Sequence, residues 1–440
     1  MNSLFNKLQS SHYWLKNAHI PASLIADIHN NFSSARLDGL CLVNLEIKDN
    51  LIRQIQPATC EIEHFPIIDL DKRIVLPCFI DLHTHLDKGH IWERSPNLDG
   101  TFSTALNTAI ADSQAYWQPE DLYPRLEFGL KCSYAHGTKA IRTHLDAFGE
   151  QADISFGVFR ALQQKWQNKL ELQAVSLVSL DYYQTEAGAA LADKIKDING
   201  ILGGVAYSNP NLLSQLERVF QLAKERNLDL DLHADETGEA TSNCLQKIAE
   251  TAIKYDFSGQ ITCGHCCSLA VQPREQVQKT IELVKRAKIS IVSLPMCNLF
   301  LQDRRPQQTP FWRGVTRVKE LQRVSIPVAF ASDNCRDPFY AFGDHDVLEV
   351  FNQAVRICHL DPNYDEWIHS VTTIPAKIMQ LEDENKITVD SPADLIIFPG
   401  RYFSELLARS QHERIVIRQG KPIDTSLPDY RELDDLLSKK

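Results

Sequence analysis

The sequence is short of several things that would each point to a different class of protein. No stretch of its 440 residues approaches the roughly 18 uninterrupted apolar residues of a membrane span, so no membrane partner is expected. Its opening, MNSLFNKLQSSHYWLKNAHI, lacks an apolar core of about seven residues and a small-residue cleavage site, and no export signal is expected. Basic charge is also short. A formal net charge of −11 argues against nucleic acid as the main partner, because phosphate contacts need clustered Lys and Arg. No internal repeat or low-complexity segment interrupts the chain. Cysteines are present but do not read as a disulfide framework. There are 11, an odd count, mostly within apolar runs such as VLPCFI and ITCGHCC, which fits buried thiols in a reducing cytoplasm.

What is present is enough for a full globular core, with 43% hydrophobic and 23% charged residues. The length is too great for one ordinary domain but suits a large barrel with a smaller attachment. Through the middle of the chain one rhythm recurs: a short β-rich apolar run, a polar residue at its end, then a helical stretch. The strand-like runs are 74–83, 139–146, 170–178, 201–208, 228–236, 260–266, 288–295 and 326–333. Between them, segments such as LLSQLERVFQLAKERN and REQVQKTIELVKRAK return an apolar residue every three or four positions. Strands alternating with helices predict an α/β fold, a (β/α)₈ TIM-like barrel over 73–384. The flanks, with CLVNLEIKDNLIRQIQP and RIVIRQGKPI, read as hairpins. They predict one small β-sandwich domain from both chain ends, 1–72 together with 385–440.

A barrel enzyme carries its site at the C-terminal ends of its strands, so the polar residues there are the informative ones. The first run ends in Asp81-Leu82-His83-Thr84-His85, and alternation lets His83 and His85 face one ion. The later runs end in His233-Ala234-Asp235-Glu236, in Gly264-His265 and in Ser332-Asp333-Asn334. Each signal is weak alone, but together they are the donor set of a hydrolytic zinc or iron site. His144 ends the second run and can line the same pocket.

In family order, HTHLD (83–87), LHADE (232–236), GHCCSL (264–269), NLFLQDR (298–304), RGVTRVKE (313–320) and SDNCRDPF (332–339) resemble the amidohydrolase superfamily, in its cytosine deaminase-like branch. The resemblance covers roughly residues 70–400. It implies that His83, His85, His233 and Asp333 are metal ligands, that Glu236 is the proton shuttle and that His265 orients or polarises the attacking water. Two-metal relatives bridge their ions with a modified lysine at the end of the fourth strand, where this chain has Val205-Ala206-Tyr207-Ser208. One divalent ion per subunit, iron or zinc, is therefore expected. A metal-activated water, deprotonated with help from Asp333 or His265, would attack a ring carbon bearing an amino group, Glu236 would carry the proton to a ring nitrogen, and ammonia would leave.

The substrate segments depart from the cytosine enzymes. Leu177-Val178-Ser179-Leu180-Asp181 carries no glutamine, Asn334 stands where a second aspartate is common, and Lys88 is additional. The expected partner is a small nitrogen heterocycle, a cytosine-like pyrimidine or a related ring such as a pterin or a creatinine-like ring. Amine release from a hydroxy-triazine, cyclic-amide hydrolysis and a catalytically dead scaffold are the alternatives. Lys88, Trp92, Arg94, His144, Gln302 and Asn334 are the candidate substrate contacts. Homo-oligomerisation is left open.

Overall fold

The computed structural model describes residues 8–26, 32, 36–62, 66–409 and 413–438. These residues gather into two compact units: Met1–Ile80 with Lys131–Lys139 and Asp346–Pro428, and Asp81–Leu130 with Ala140–His345 and Asp429–Lys440.

The first unit is built on antiparallel pairing. One sheet orders Leu51–Pro57, Leu40–Lys48, His12–Pro21 and Ile67–Asp69, with the last strand parallel to its neighbour. The other orders Lys421–Pro422, Ile415–Arg418, Leu395–Ile397 and Val75–Pro77. Alternating residues from both, among them Tyr13, Leu15, Val43, Leu395 and Ile417, share one apolar cluster. The expected first run, 74–83, is in fact two strands. Pro77 closes the first of them, and beyond it the Cys78 amide donates to the Asp394 carbonyl.

The second unit is parallel. We number the parallel strands, of which β1 and β2 begin with two residues of the first unit, β1 (Phe79–Thr84), β2 (Thr138–Asp146), β3 (Glu171–Leu177), β4 (Leu202–Ala206), β5 (Leu230–Ala234), β6 (Ile261–His265), β7 (Ser290–Ser293) and β8 (Val328–Phe330). The order is β1-β2-β3 in one sheet and β8-β7-β6-β5-β4 in the other. Single parallel bridges join Val175 to Ile201, Ser179 to Val205, and Thr84 to Asp333. Most strand residues are buried on both faces, as expected of parallel sheets covered by helices.

The helices follow from their sequence. α1 (Phe102–Tyr116) starts at Thr101, whose side chain accepts from the Thr104 amide. In α5, which follows α2 (Pro119–Ala135), α3 (Gln151–Trp166) and α4 (Glu186–Asp197) and spans Leu212–Arg226, Leu212, Leu216, Val219, Phe220 and Ala223 form the buried stripe. That helix ends with Asn227 in the left-handed conformation and basic residues in its last turn. The C-terminal segment bears Leu433 and Leu436, both buried, and the Leu436 carbonyl accepts from Arg94.

Candidate active site

The strand ends bring most of the expected residues together. His83 and His85 lie at and just beyond the end of β1, and His233 is the penultimate residue of β5, with Val205 on one side and Gly264 on the other. Gly264 has a packing reason: a Cβ there would come within 3.0 Å of the His83 ring. Asp333 follows β8 in the left-handed region, where its amide donates to the His83 carbonyl. The Asp333 carboxylate stands 3.2 Å from His85 Nε2 and 3.6 Å from His83 Nε2, and His233 Nε2 is 3.4 Å from His85 Nε2. The ring centroids of His83 and His144 are 3.9 Å apart. Two overlapping groups therefore have donor atoms within 4.8 Å of one another: His83, His85 and Asp333, and His83, His144 and His233.

Glu236 and His265 complete the set. Glu236 Oε1 lies 3.3 Å from His265 Nδ1, and Asn298 Nδ2 lies 3.0 Å from the same nitrogen. Beneath them lies Asp231, whose alternation with His233 on β5 aims its carboxylate inward. It pairs at 2.9 Å with Arg142, and His144 Nε2 is 3.3 Å away.

Burial governs the electrostatics. It holds the imidazoles of His83, His85 and His233 well below their usual range, with the crowding of neighbouring imidazoles and, for His85 and His233, the Lys88 ammonium adding to it. His265 is pushed down to about 3, by burial and then by His144. These rings are neutral donors. The Glu236 carboxyl is pushed well above its usual range, by burial and then by Asp333. Burial likewise raises Asp81, which accepts from Ser332, to about 6, and Asp337, which accepts from Asn334, to about 7.

The donors fit a divalent cation. Both ring nitrogens of His83, both carboxylate oxygens of Asp333, Nδ1 of His85 and His233, and Nε2 of His265 are buried without a hydrogen-bond partner. Each orphaned buried group costs about 1–3 kcal/mol, and together they would rival the whole stability of an ordinary domain. Neutral imidazoles beside one carboxylate are a zinc- or iron-type donor set.

A cavity of about 560 Å³ opens beside this cluster. His85, His233, His265, Asp333 and Glu236 form its polar wall, with Lys88 and Asn334 from the expected contacts. The other expected contacts do not line it. Arg94 is instead locked in buried ion pairs with Asp112 and Asp121, at 2.8 and 2.5 Å, so it is not free to grip a substrate. Trp92 and Gln302 are outside the lining, and the Gln302 amide reaches the Glu236 carbonyl at 3.3 Å. Lys88 is buried and paired with Asp146 at 2.5 Å. Sequence reasoning missed the apolar wall: Phe102, Leu106 and Ile110 of α1, with Phe148 and Phe339. Among these, Phe148 and Ile110 are half exposed, an apolar surface that nothing in the local pattern flagged.

Residues 98–424 match the model of the Amidohydro_3 group, described as an amidohydrolase family. The chain belongs to the amidohydrolase family. It is a metal-dependent family, and the chain is a hydrolase acting on carbon–nitrogen bonds. This amidohydrolase is 45% identical over 436 residues to a pterin deaminase of Rhizobium rhizogenes (strain K84), covering 99% of each chain. It is 25% identical over 340 residues to an N-isopropylammelide isopropyl amidohydrolase of Pseudomonas sp. (strain ADP), covering 75% of this chain and 81% of that one. Among solved structures it resembles 5-methylcytosine deaminase from Klebsiella pneumoniae liganded with 5-fluorocytosine. The TM-score is 0.80 at 25% identity, over 95% of this chain and 98% of that one. No helix of the described residues is long and apolar enough to cross a membrane.

Proposed function

We propose that this amidohydrolase is a hydrolytic deaminase of a nitrogen heterocycle and that its substrate is a pterin. The observation that carries the reading is the full-length 45% identity to a pterin deaminase. The cavity supports it: an aromatic and aliphatic wall of Phe102, Phe148 and Phe339 suits the faces of a flat fused ring. Asn334 and the Lys88–Asp146 pair offer donors and acceptors for its polar edge.

In this reading His83, His85, His233 and Asp333 hold one divalent ion, zinc or iron, and His144 stands beside them as a further candidate. When bound, the ion supplies a Lewis acid that brings the pKa of water down towards neutrality. Glu236 takes a proton from the attacking water and delivers it to a ring nitrogen, a double duty that its raised pKa suits. His265, neutral and facing Glu236, orients the water, and Asn298 fixes its ring. The amino group leaves as ammonia. The eight parallel strands are read as one closed (β/α)₈ barrel within residues 73–384. The two sheets of the first unit are read as a small β-sandwich from segments 1–72 and 385–440, to which Val75–Pro77 adds an edge strand. Nine buried cysteines among 11 free ones support a reducing cytoplasm.

The test is ammonium release with purified enzyme over pterin, cytosine, 5-methylcytosine and hydroxy-triazines bearing an alkylamine. Turnover should be fastest with pterin. Release only from a pyrimidine, or of alkylamine only from a triazine, would overturn the substrate assignment.

A further inference from the structure

Among the described residues, a third donor group lies outside the set assigned to catalysis. His90, Cys335 and His345 bring two imidazole nitrogens and a thiol within 4.8 Å of one another. All three are buried, at 2, 1 and 2% exposure, and none lines the cavity. They come from the two loops that flank the first and last strands of the parallel unit. His90 lies two residues after Lys88, and Cys335 immediately follows Asn334.

We propose that His90, Cys335 and His345 form a second metal site, for a thiophilic divalent ion of the zinc class, that clamps these two loops together. The geometry points that way. His90 Nε2 and His345 Nε2 are 3.2 Å apart. Two nitrogens on one tetrahedral ion with bonds of 2.0–2.1 Å stand about 3.3 Å apart. A bare hydrogen bond between the two rings would explain that distance but not the thiol beside them. Asp344 and Asp337 place negative charge near the Cys335 sulfur, among the nearby cations Arg336 and Arg125. His90 and His345 both hold left-handed backbone, at φ of 65° and 54°. Such residues persist only where the surroundings fix them. The loops already touch, through the His90 amide and the Cys335 carbonyl at 3.2 Å. An ion would pin the same crossing through side chains.

Sulfur is the discriminating signature, because the catalytic groups contain only His and Asp donors. Whole enzyme loaded with Zn²⁺ and freed of excess should hold two equivalents per chain. X-ray absorption should then show a sulfur neighbour at about 2.3 Å. Cys335→Ser should hold one equivalent and lose the sulfur signal. His345→Asn, whose side chain tolerates left-handed backbone, should also drop to one equivalent. Cys297→Ser is the control, since Cys297 lies within 3.3 Å of the Asn334 amide. It should keep both equivalents and the signal. One equivalent in the unaltered enzyme, or two with no sulfur neighbour, would overturn the proposal, the latter pointing to a two-ion catalytic centre. The absorption measurement on the unaltered enzyme decides the matter even if a variant fails to fold.

Discussion

Arg142→Met tests whether the floor of the site is held by a buried ion pair. Asp231 has no exposed surface, and Arg142 reaches it at 2.9 Å while also donating to Gln173 at 3.0 and 3.1 Å. Methionine keeps the apolar stem and deletes the charge, leaving a carboxylate in the protein interior beside His144. Removing one partner of such a pair costs about 3–5 kcal/mol, whereas replacing both with apolar groups is often neutral. The single variant should therefore lose about 3–5 kcal/mol in urea unfolding, roughly two to four orders of magnitude in the folding equilibrium. Arg142→Met combined with Asp231→Leu should recover most of it. A single variant within about 1 kcal/mol of the parent would refute the reasoning, as would a double variant no better than the single.

Other consequences are equally concrete. Glu236→Gln should lower kcat by roughly 10²–10⁴-fold while the protein keeps its metal content, measured by ammonium release and elemental analysis. Glu236 acts first as a base, so its ionised form is the active one. Because burial raises its pKa, kcat/KM should fall as pH drops through a midpoint above the usual glutamate range, and Glu236→Gln should lack that limb. Phe148→Ala should raise KM for a fused-ring substrate roughly two- to tenfold with kcat little changed, through loss of a ring-face contact worth about 0.5–1.5 kcal/mol. Gly203→Ala would set a methyl 2.2 Å from Val175 Cγ1 and 2.6 Å from the Asp231 carbonyl. Backbone cannot yield cheaply, so thermal melting should show a loss of about 1–3 kcal/mol or more.

The alternation of strand-like and helical runs was legible because it depends on spacing within a few residues. So was the convergence of His83, His85, His233, His265 and Asp333, since parallel strands end on one side and their terminal polar residues must meet there. The misreadings came from partners distant in sequence. Arg94 looked available because its carboxylates, Asp112 and Asp121, arrive from two later helices. The partner of Asp231 could not be read from the sequence either, because Arg142 is 89 residues away. The helix Phe102–Tyr116 sets Phe102, Leu106, Ala109 and Ile110 at helical spacing, but that spacing marks a packed face and does not say that the face borders a cavity. His144 was expected as a pocket residue, and only side-chain placement sets it among the potential ligands. The break at Pro77 was visible in the sequence as a residue without an amide, but the apolar run around it obscured the change of sheet.

The central claim is that neutral imidazoles and a buried aspartate at the strand ends exist to hold a divalent ion. Anomalous diffraction from crystals of the active enzyme, recorded at the absorption edge of whichever metal elemental analysis finds, addresses it most directly. The account predicts a peak about 2.0–2.2 Å from nitrogens of His83, His85 and His233 and from the Asp333 carboxylate. An enzyme that turns over substrate while showing no such peak among these four residues would contradict it.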